Sequence, residues 1–147
     1  MLFRSVANIR IGVVLSKNGG ALFEMSLPVK WGIASPLGSG KQFISWIHIE
    51  DLSNMFMHII QNQLNGIYNA VATNPVTNEA FTNALKKSLC KNAVTFNTPA
   101  WAMKLLLGEK SAIVLDSTNV SNKKIVSTGF SFKYDLLDDA LKNFYGK

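Results

Sequence analysis

At 147 residues, 48% hydrophobic and only 16% charged, the chain is long enough for one buried core, and no apolar run nears the roughly 18 residues that span a bilayer. Its net charge of +6, from 15 Lys and Arg against 9 Asp and Glu, favours anionic partners. Only Lys86-Lys87 and Lys123-Lys124 are adjacent basic pairs, and no basic stripe interleaved with aromatics appears, which weighs against nucleic-acid binding.

The first stretch, MLFRSVANIRIGVVLS, is interrupted by Arg4 and Arg10 and has no small-residue cleavage site, so it does not read as a secretory signal. Residues 6–15 are rich in β-branched side chains and run into Ser-Lys-Asn-Gly-Gly, which predicts one buried strand with two apolar faces, then a loop. With nothing before it to pair with, such a strand is expected to belong to a larger sheet and to drive self-association, two copies meeting across a two-fold axis. Residues 21–29 predict a short helix stopped near Pro28. Residues 42–49 alternate around Phe43, Trp46, Ile47 and Ile49, which predicts a strand. Glu50 and Asp51 sit where the N-cap of the next helix belongs, and Leu52, Met55, Phe56, Ile59 and Ile60 recur at helical spacing to about Asn62.

IYNAVA, residues 67–72, predicts a further apolar strand. Thr77 reads as an N-cap with Glu79 in the first turn of a helix through about Leu89. Pro99 opens a predicted helix closed by Gly108. Residues 111–116 and 122–127 are also predicted helical, the latter ended by Gly129. Leu136, Leu137, Ala140, Leu141 and Phe144 mark a terminal amphipathic helix. Strands come early and helices crowd the second half, so the class is α/β with a helical C-terminal cap. A lone cysteine, Cys90, leaves no internal disulfide and suits a reducing compartment, the cytoplasm being the expected one.

The block SPLGSGKQFISWIHIEDL invites reading as a nucleotide site, and the spacing argues against it. A phosphate loop needs Gly-x-x-x-x-Gly-Lys-[Ser/Thr], so that amides wrap the phosphates and a hydroxyl holds magnesium. Here Ser35 stands where the first glycine belongs, Gln42 follows Lys41, and Pro36 removes an amide donor. Gly-x-Gly-x-x-Gly fails as well, with Phe43 in the third position. The block reads as a turn. Of the two histidines, His58 falls off its helix's apolar stripe and reads as exposed. His48 ends a strand beside Glu50 and Asp51, where it either ties the strand end to the next helix or takes part in catalysis. Two histidines and one cysteine without Cys-x-x-Cys or His-Glu-x-x-His do not compose a metal site.

Three blocks in order, IRIGVVLSKNGGAL, PLGSGKQFISWIHIEDL and GIYNAVATNPVTNEAFTNAL, resemble the C-terminal half of extended short-chain dehydrogenases/reductases. More narrowly they resemble the NAD(P)-dependent epimerase/dehydratase, nucleoside-diphosphate-sugar epimerase-like subfamily. PAWAMKLLLGE and STGFSFKYDLLDDAL resemble its extra C-terminal cap. The resemblance implies a partial Rossmann-like α/β unit with substrate-side loops over residues 1–95 and a helical cap over 96–147. It implies NAD or NADP as the cofactor of the full-length parent and a sugar-like substrate.

In such enzymes a glycine-rich fingerprint holds the dinucleotide, and a Tyr-x-x-x-Lys pair does the acid–base work, the lysine lowering the tyrosine's pKa by its charge. Within these 147 residues Ala72 lies four after Tyr68 and Asp138 four after Tyr134, so neither feature is present and no catalytic residue is assigned. By resemblance the backbone near Val14 lies against the nicotinamide end of the cofactor. Lys41, Gln42 and Trp46 form the substrate wall, although an aromatic on such a strand also suits core packing. Lys41, Gln42 and Ser45 stand where many members place an arginine for the substrate's diphosphate. Two other classes stay open: a non-catalytic binding module derived from the same fold, and a small basic nucleic-acid binder.

Overall fold

The computed structural model describes residues 6–89, 92–95 and 117–146. The predicted helices over 99–108 and 111–116 lie outside the described residues. Residues 6–15 form two strands rather than one, β1 (Ala7–Ile11) and β2 (Val13–Leu15). Helix α1 (Gly20–Lys30), β3 (Ile33–Ala34), β4 (Phe43–Ile44) and β5 (Trp46–His48) follow. Next come α2 (Ile49–Gln61), β6 (Gly66–Ala70), β7 (Val76–Thr77), α3 (Asn78–Leu89) and β8 (Val94–Thr95). The described chain closes with the short α4 (Lys123–Val126) and with α5 (Leu137–Tyr145), capped by left-handed Gly146.

β1 pairs parallel with β6, from Ala7 opposite Gly66 to Ile11 opposite Ala70, and β2 pairs parallel with β5. The partner changes at Gly12. Its N–H donates to Ala70 O at 3.2 Å, and the next N–H, of Val13, donates to Ser45 O at 2.8 Å. A Cβ on Gly12 would lie 2.5 Å from Ser45 O and 2.7 Å from Val71 Cγ1, so the change of partner requires glycine. β3 pairs parallel with β8, and β4 antiparallel with β7.

β5 is buried along its whole length, and its period of two divides the core. Trp46 points into a cluster with Leu15, Leu22, Phe81, Leu85, Leu141 and Phe144, drawn from β2, α1, α3 and α5. Ile47 points the other way, to Met55, Ile59, Tyr68, Ile125 and Phe130, from α2, β6, α4 and the turn after it. Helices therefore cover both faces of the parallel strands, as such strands require. Among the described residues no helix is long and apolar enough to cross a membrane.

The expectation of one fully buried strand over residues 6–15 is corrected. Leu15 alone of that stretch is fully buried; Val6 is 62% exposed and Ile11 48%. β5 draws β2 into the core, whereas β1 has β6 on one side and no other strand among the described residues. The predicted strand over 42–49 also divides, and Ile49 already belongs to α2. Thr77 does cap α3, its Oγ1 accepting the Ala80 N–H at 3.2 Å.

Candidate functional site

The carboxyl ends of β2 and β5 lie side by side, with Leu15 opposite His48, and the loops over 16–19 and 35–42 follow from the strands around them. Such strand ends are where α/β proteins gather ligands. Gly20 begins α1 in the left-handed region at φ 72°, and a Cβ there would be 3.9 Å from Val14 O, which brings the helix start against the β2 backbone. Val14 itself is half-buried and opposite Ile47.

The turn over 35–42 is held from inside. Gly38 and Gly40 both take positive φ, 59° and 71°. The Leu37 peptide is clamped at both ends: its N–H donates to Asn78 Oδ1 at 2.7 Å, and its O accepts from Gln42 Nε2 at 2.7 Å. Gln42 Oε1 accepts from Ser39 Oγ at 3.2 Å. The carbonyls of Gln42 and Gly40 accept the Asn78 and Glu79 N–H groups, each at 2.9 Å. The turn thus offers carbonyls to the amino end of α3. A phosphate loop does the reverse and offers amides to an anion, so the geometry agrees with the spacing argument.

The candidate wall residues separate in space. Lys41 is exposed at the turn. Gln42 is buried with its carboxamide engaged by Leu37 and Ser39, so it braces the turn instead of reaching a ligand. Trp46 is fully buried, and its indole N–H donates to Asn74 O at 3.1 Å; it supports the strand end from within the core and is not a surface that a ligand touches. Ser45 is also buried, its Oγ donating to Thr118 O at 2.7 Å and accepting the Val120 N–H at 3.0 Å.

His48 is the N-cap of α2, a place the sequence suggested for Glu50 and Asp51, which instead occupy the first turn. Its Nδ1 accepts the Glu50 N–H at 3.1 Å, so in the neutral ring Nε2 carries the proton and donates to Asn143 Oδ1 at 3.2 Å. The ring lies between Tyr134 and Phe144, with centroids 4.0 and 4.4 Å away. It ties β5 to α2 and α5. Burial lowers its pKa from 6.5; the Asn143 hydrogen bond and the charges of Asp51 and Glu50 oppose this, while Lys133 adds to it. The folded state therefore holds a proton there less readily than the unfolded chain, and protonation removes the Nδ1 acceptor. Stability from this site is present above the unfolded value and is lost as pH falls through the folded one. Urea unfolding of His48→Gln between about pH 7.5 and 5 should show a smaller loss on acidification than the parent; equal slopes would contradict this role.

His58 was expected to be exposed and is half-buried: its Nε2 lies 2.9 Å from Thr128 Oγ1, and its ring packs edge-on to Phe130. Spacing along α2 could not reveal this, because the partners lie 70 residues away. Among the described residues no cluster of three His, Cys, Asp or Glu side chains is placed to hold a metal ion.

The epimerase family protein SAB0724c of Staphylococcus aureus (strain bovine RF122 / ET3-1) is 40% identical over 139 residues, 94% of this chain and 46% of that protein. A crystal structure of human epimerase family protein SDR39U1 (isoform 2) with NADPH superposes with TM-score 0.88 at 31% identity, over 96% of this chain and 48% of that one. The chain belongs to the epimerase-like short-chain dehydrogenases/reductases. It corresponds to the C-terminal part of their Rossmann-type α/β fold and spans about half the length of the curated relatives it matches. Within this epimerase family, residues 98–144 match a domain of unknown function, DUF1731. The nucleoside-diphosphate sugar epimerase of Corynebacterium glutamicum superposes with TM-score 0.72 at 27% identity, over 97% of this chain and 26% of that one.

Proposed function

We propose that this chain is the substrate-side half of an NAD(P)-dependent oxidoreductase of the epimerase/dehydratase kind, acting on a sugar-like carbonyl or alcohol borne by a nucleoside diphosphate. The likeness over nearly the whole chain to a protein crystallised with NADPH carries the reading. The residues present fit the cofactor in part. The end of β2 at Val14, with Gly20 close against it, suits a flat nicotinamide ring laid on backbone. The turn over 35–42 does not suit a pyrophosphate, because its carbonyls face the helix end. When bound, the dinucleotide would supply hydride chemistry. This chain would supply backbone at Val14 and a cation at Lys41 for an anionic substrate group, with Gln42 and Trp46 holding the turn and strand end in place.

Residues 1–95 would form the cofactor- and substrate-facing unit and 96–147 its cap. By itself the chain would be inactive, and its single cysteine suits the cytoplasm. The test uses a fusion of this chain behind the unmatched portion of the S. aureus relative, assayed with nucleoside-diphosphate sugars. Lys41→Ala should raise substrate KM roughly tenfold, the worth of one charge-assisted contact, and leave the NADPH Kd unchanged. An unchanged KM with a weakened NADPH Kd would overturn the assignment of this turn.

A further inference from the structure

The second apolar cluster does not close over β1. Ala7, Ile9, Phe56, Ile60 and Leu64 line an open groove of about 280 Å³ between β1 and the last turns of α2. Phe56 is 40% exposed and Ile60 67%. β1 is paired on one edge alone among the described residues. The Gly66 N–H bonds Val6 O, and the Gly12 N–H bonds Ala70 O. The strand's period of two therefore turns the N–H and C=O of Ala7, Ile9 and Ile11 to the opposite edge. An open edge flanked by apolar surface is a template for another strand.

What fits there follows from the page. β1, β2, β5 and β6 are joined in parallel pairs, and parallel strands are ordinarily paired within a sheet covered on both faces. A second copy related by a two-fold axis would set β1 antiparallel to itself and bring two chains of net charge +6 together. About half of each relative has no counterpart here, since the chain covers 46% of the S. aureus protein and 48% of the human one. We propose that the open edge of β1 and the adjoining groove seat a complementary α/β half of this family, one strand adding parallel to β1 and an apolar helix lying over Ala7, Ile9, Phe56 and Ile60. The inference rests on the family placement and not on the substrate proposed above.

Co-expression of the tagged chain with the unmatched portion of the S. aureus relative, as two separate polypeptides, tests it. Light scattering on the purified material should show a one-to-one complex. Ile60→Asp and Ala7→Pro should each lower its yield at least roughly tenfold. Trp31→Asp, at an exposed tryptophan outside the groove lining, should leave it unchanged. Ile60 is exposed, and Ala7 is the first strand residue, whose N–H makes no bond to β6, so both variants keep the core. Thermal melting of each variant chain checks that they do. Two soluble pieces that do not associate, a complex indifferent to both groove variants, or a tagged chain recovered only with its own copies would each overturn the proposal. Turnover is not read, so failure of the substrate assignment leaves this result standing.

Discussion

Gly12→Ala should destabilise the chain by about 3 kcal/mol, a large share of the 5–15 kcal/mol that typically holds a domain together. The added methyl would sit 2.5 Å from Ser45 O and 2.7 Å from Val71 Cγ1. Val71 can turn its side chain away; Ser45 O cannot move so easily. That carbonyl accepts the Val13 N–H that begins the β2–β5 pairing, and β5 carries Trp46 and Ile47 into the two halves of the core. Retreat of the Ser45 backbone would therefore loosen both clusters at once. Gly19→Ala is the control, because nothing lies within 4 Å of a Cβ there and its φ of 163° is ordinary extended backbone. Urea denaturation should separate them, with Gly19→Ala within about 0.5 kcal/mol of the parent. Equal midpoints for Gly12→Ala and the parent would show that the strand exchange does not need a bare backbone.

Asp51→Asn should cost nearly as much as Asp51→Ala, again about 3 kcal/mol. Asp51 is almost wholly buried in the first turn of α2, where its negative charge is favoured. Its Oδ1 accepts the Lys133 N–H and its Oδ2 the Tyr134 N–H, both at 2.9 Å. An amide keeps one acceptor and turns an NH2 group toward the other N–H, so the near-isosteric change still leaves a buried donor unpaired. The loss should show as faster hydrogen exchange over residues 133–146 together with a lower urea midpoint. Lys133→Ala, which removes only an exposed ion pair with Glu50 (2.7 Å), should change little. An Asp51→Asn chain as stable as the parent would contradict the two-point clamp.

The elements that could be read in the sequence are those whose signals are local. The amphipathic period of α2, the Thr77 cap of α3 and the α5 stripe needed only a few consecutive residues each. The break at Gly12 was hidden, because an uninterrupted apolar run looks the same whether one strand or two lies along it. At the site, GSGK could be dismissed by spacing, but the orientation of its carbonyls toward α3 depends on Asn78, 41 residues from the Leu37 that it holds. Lys41 was legible as an exposed charge. Gln42 and Trp46 were misplaced as ligand contacts for a common reason: polar and aromatic groups near a strand end suit a pocket or the scaffold behind it equally well, and the choice rests on partners such as Leu37 and Asn74 that periodicity does not encode. The tie between His48 and Asn143 spans 95 residues and is likewise a product of the fold.

Calorimetric titration with NADPH tests the central claim most directly, comparing the 147-residue chain with its fusion behind the unmatched portion of the S. aureus relative. The fusion should bind with a Kd on the order of micromolar, and the chain alone at least roughly a hundredfold more weakly, because the amides that would hold the pyrophosphate belong to the other half. Binding by the chain alone as tight as by the fusion, or a folded fusion that gives no heat with NADPH, would contradict the account.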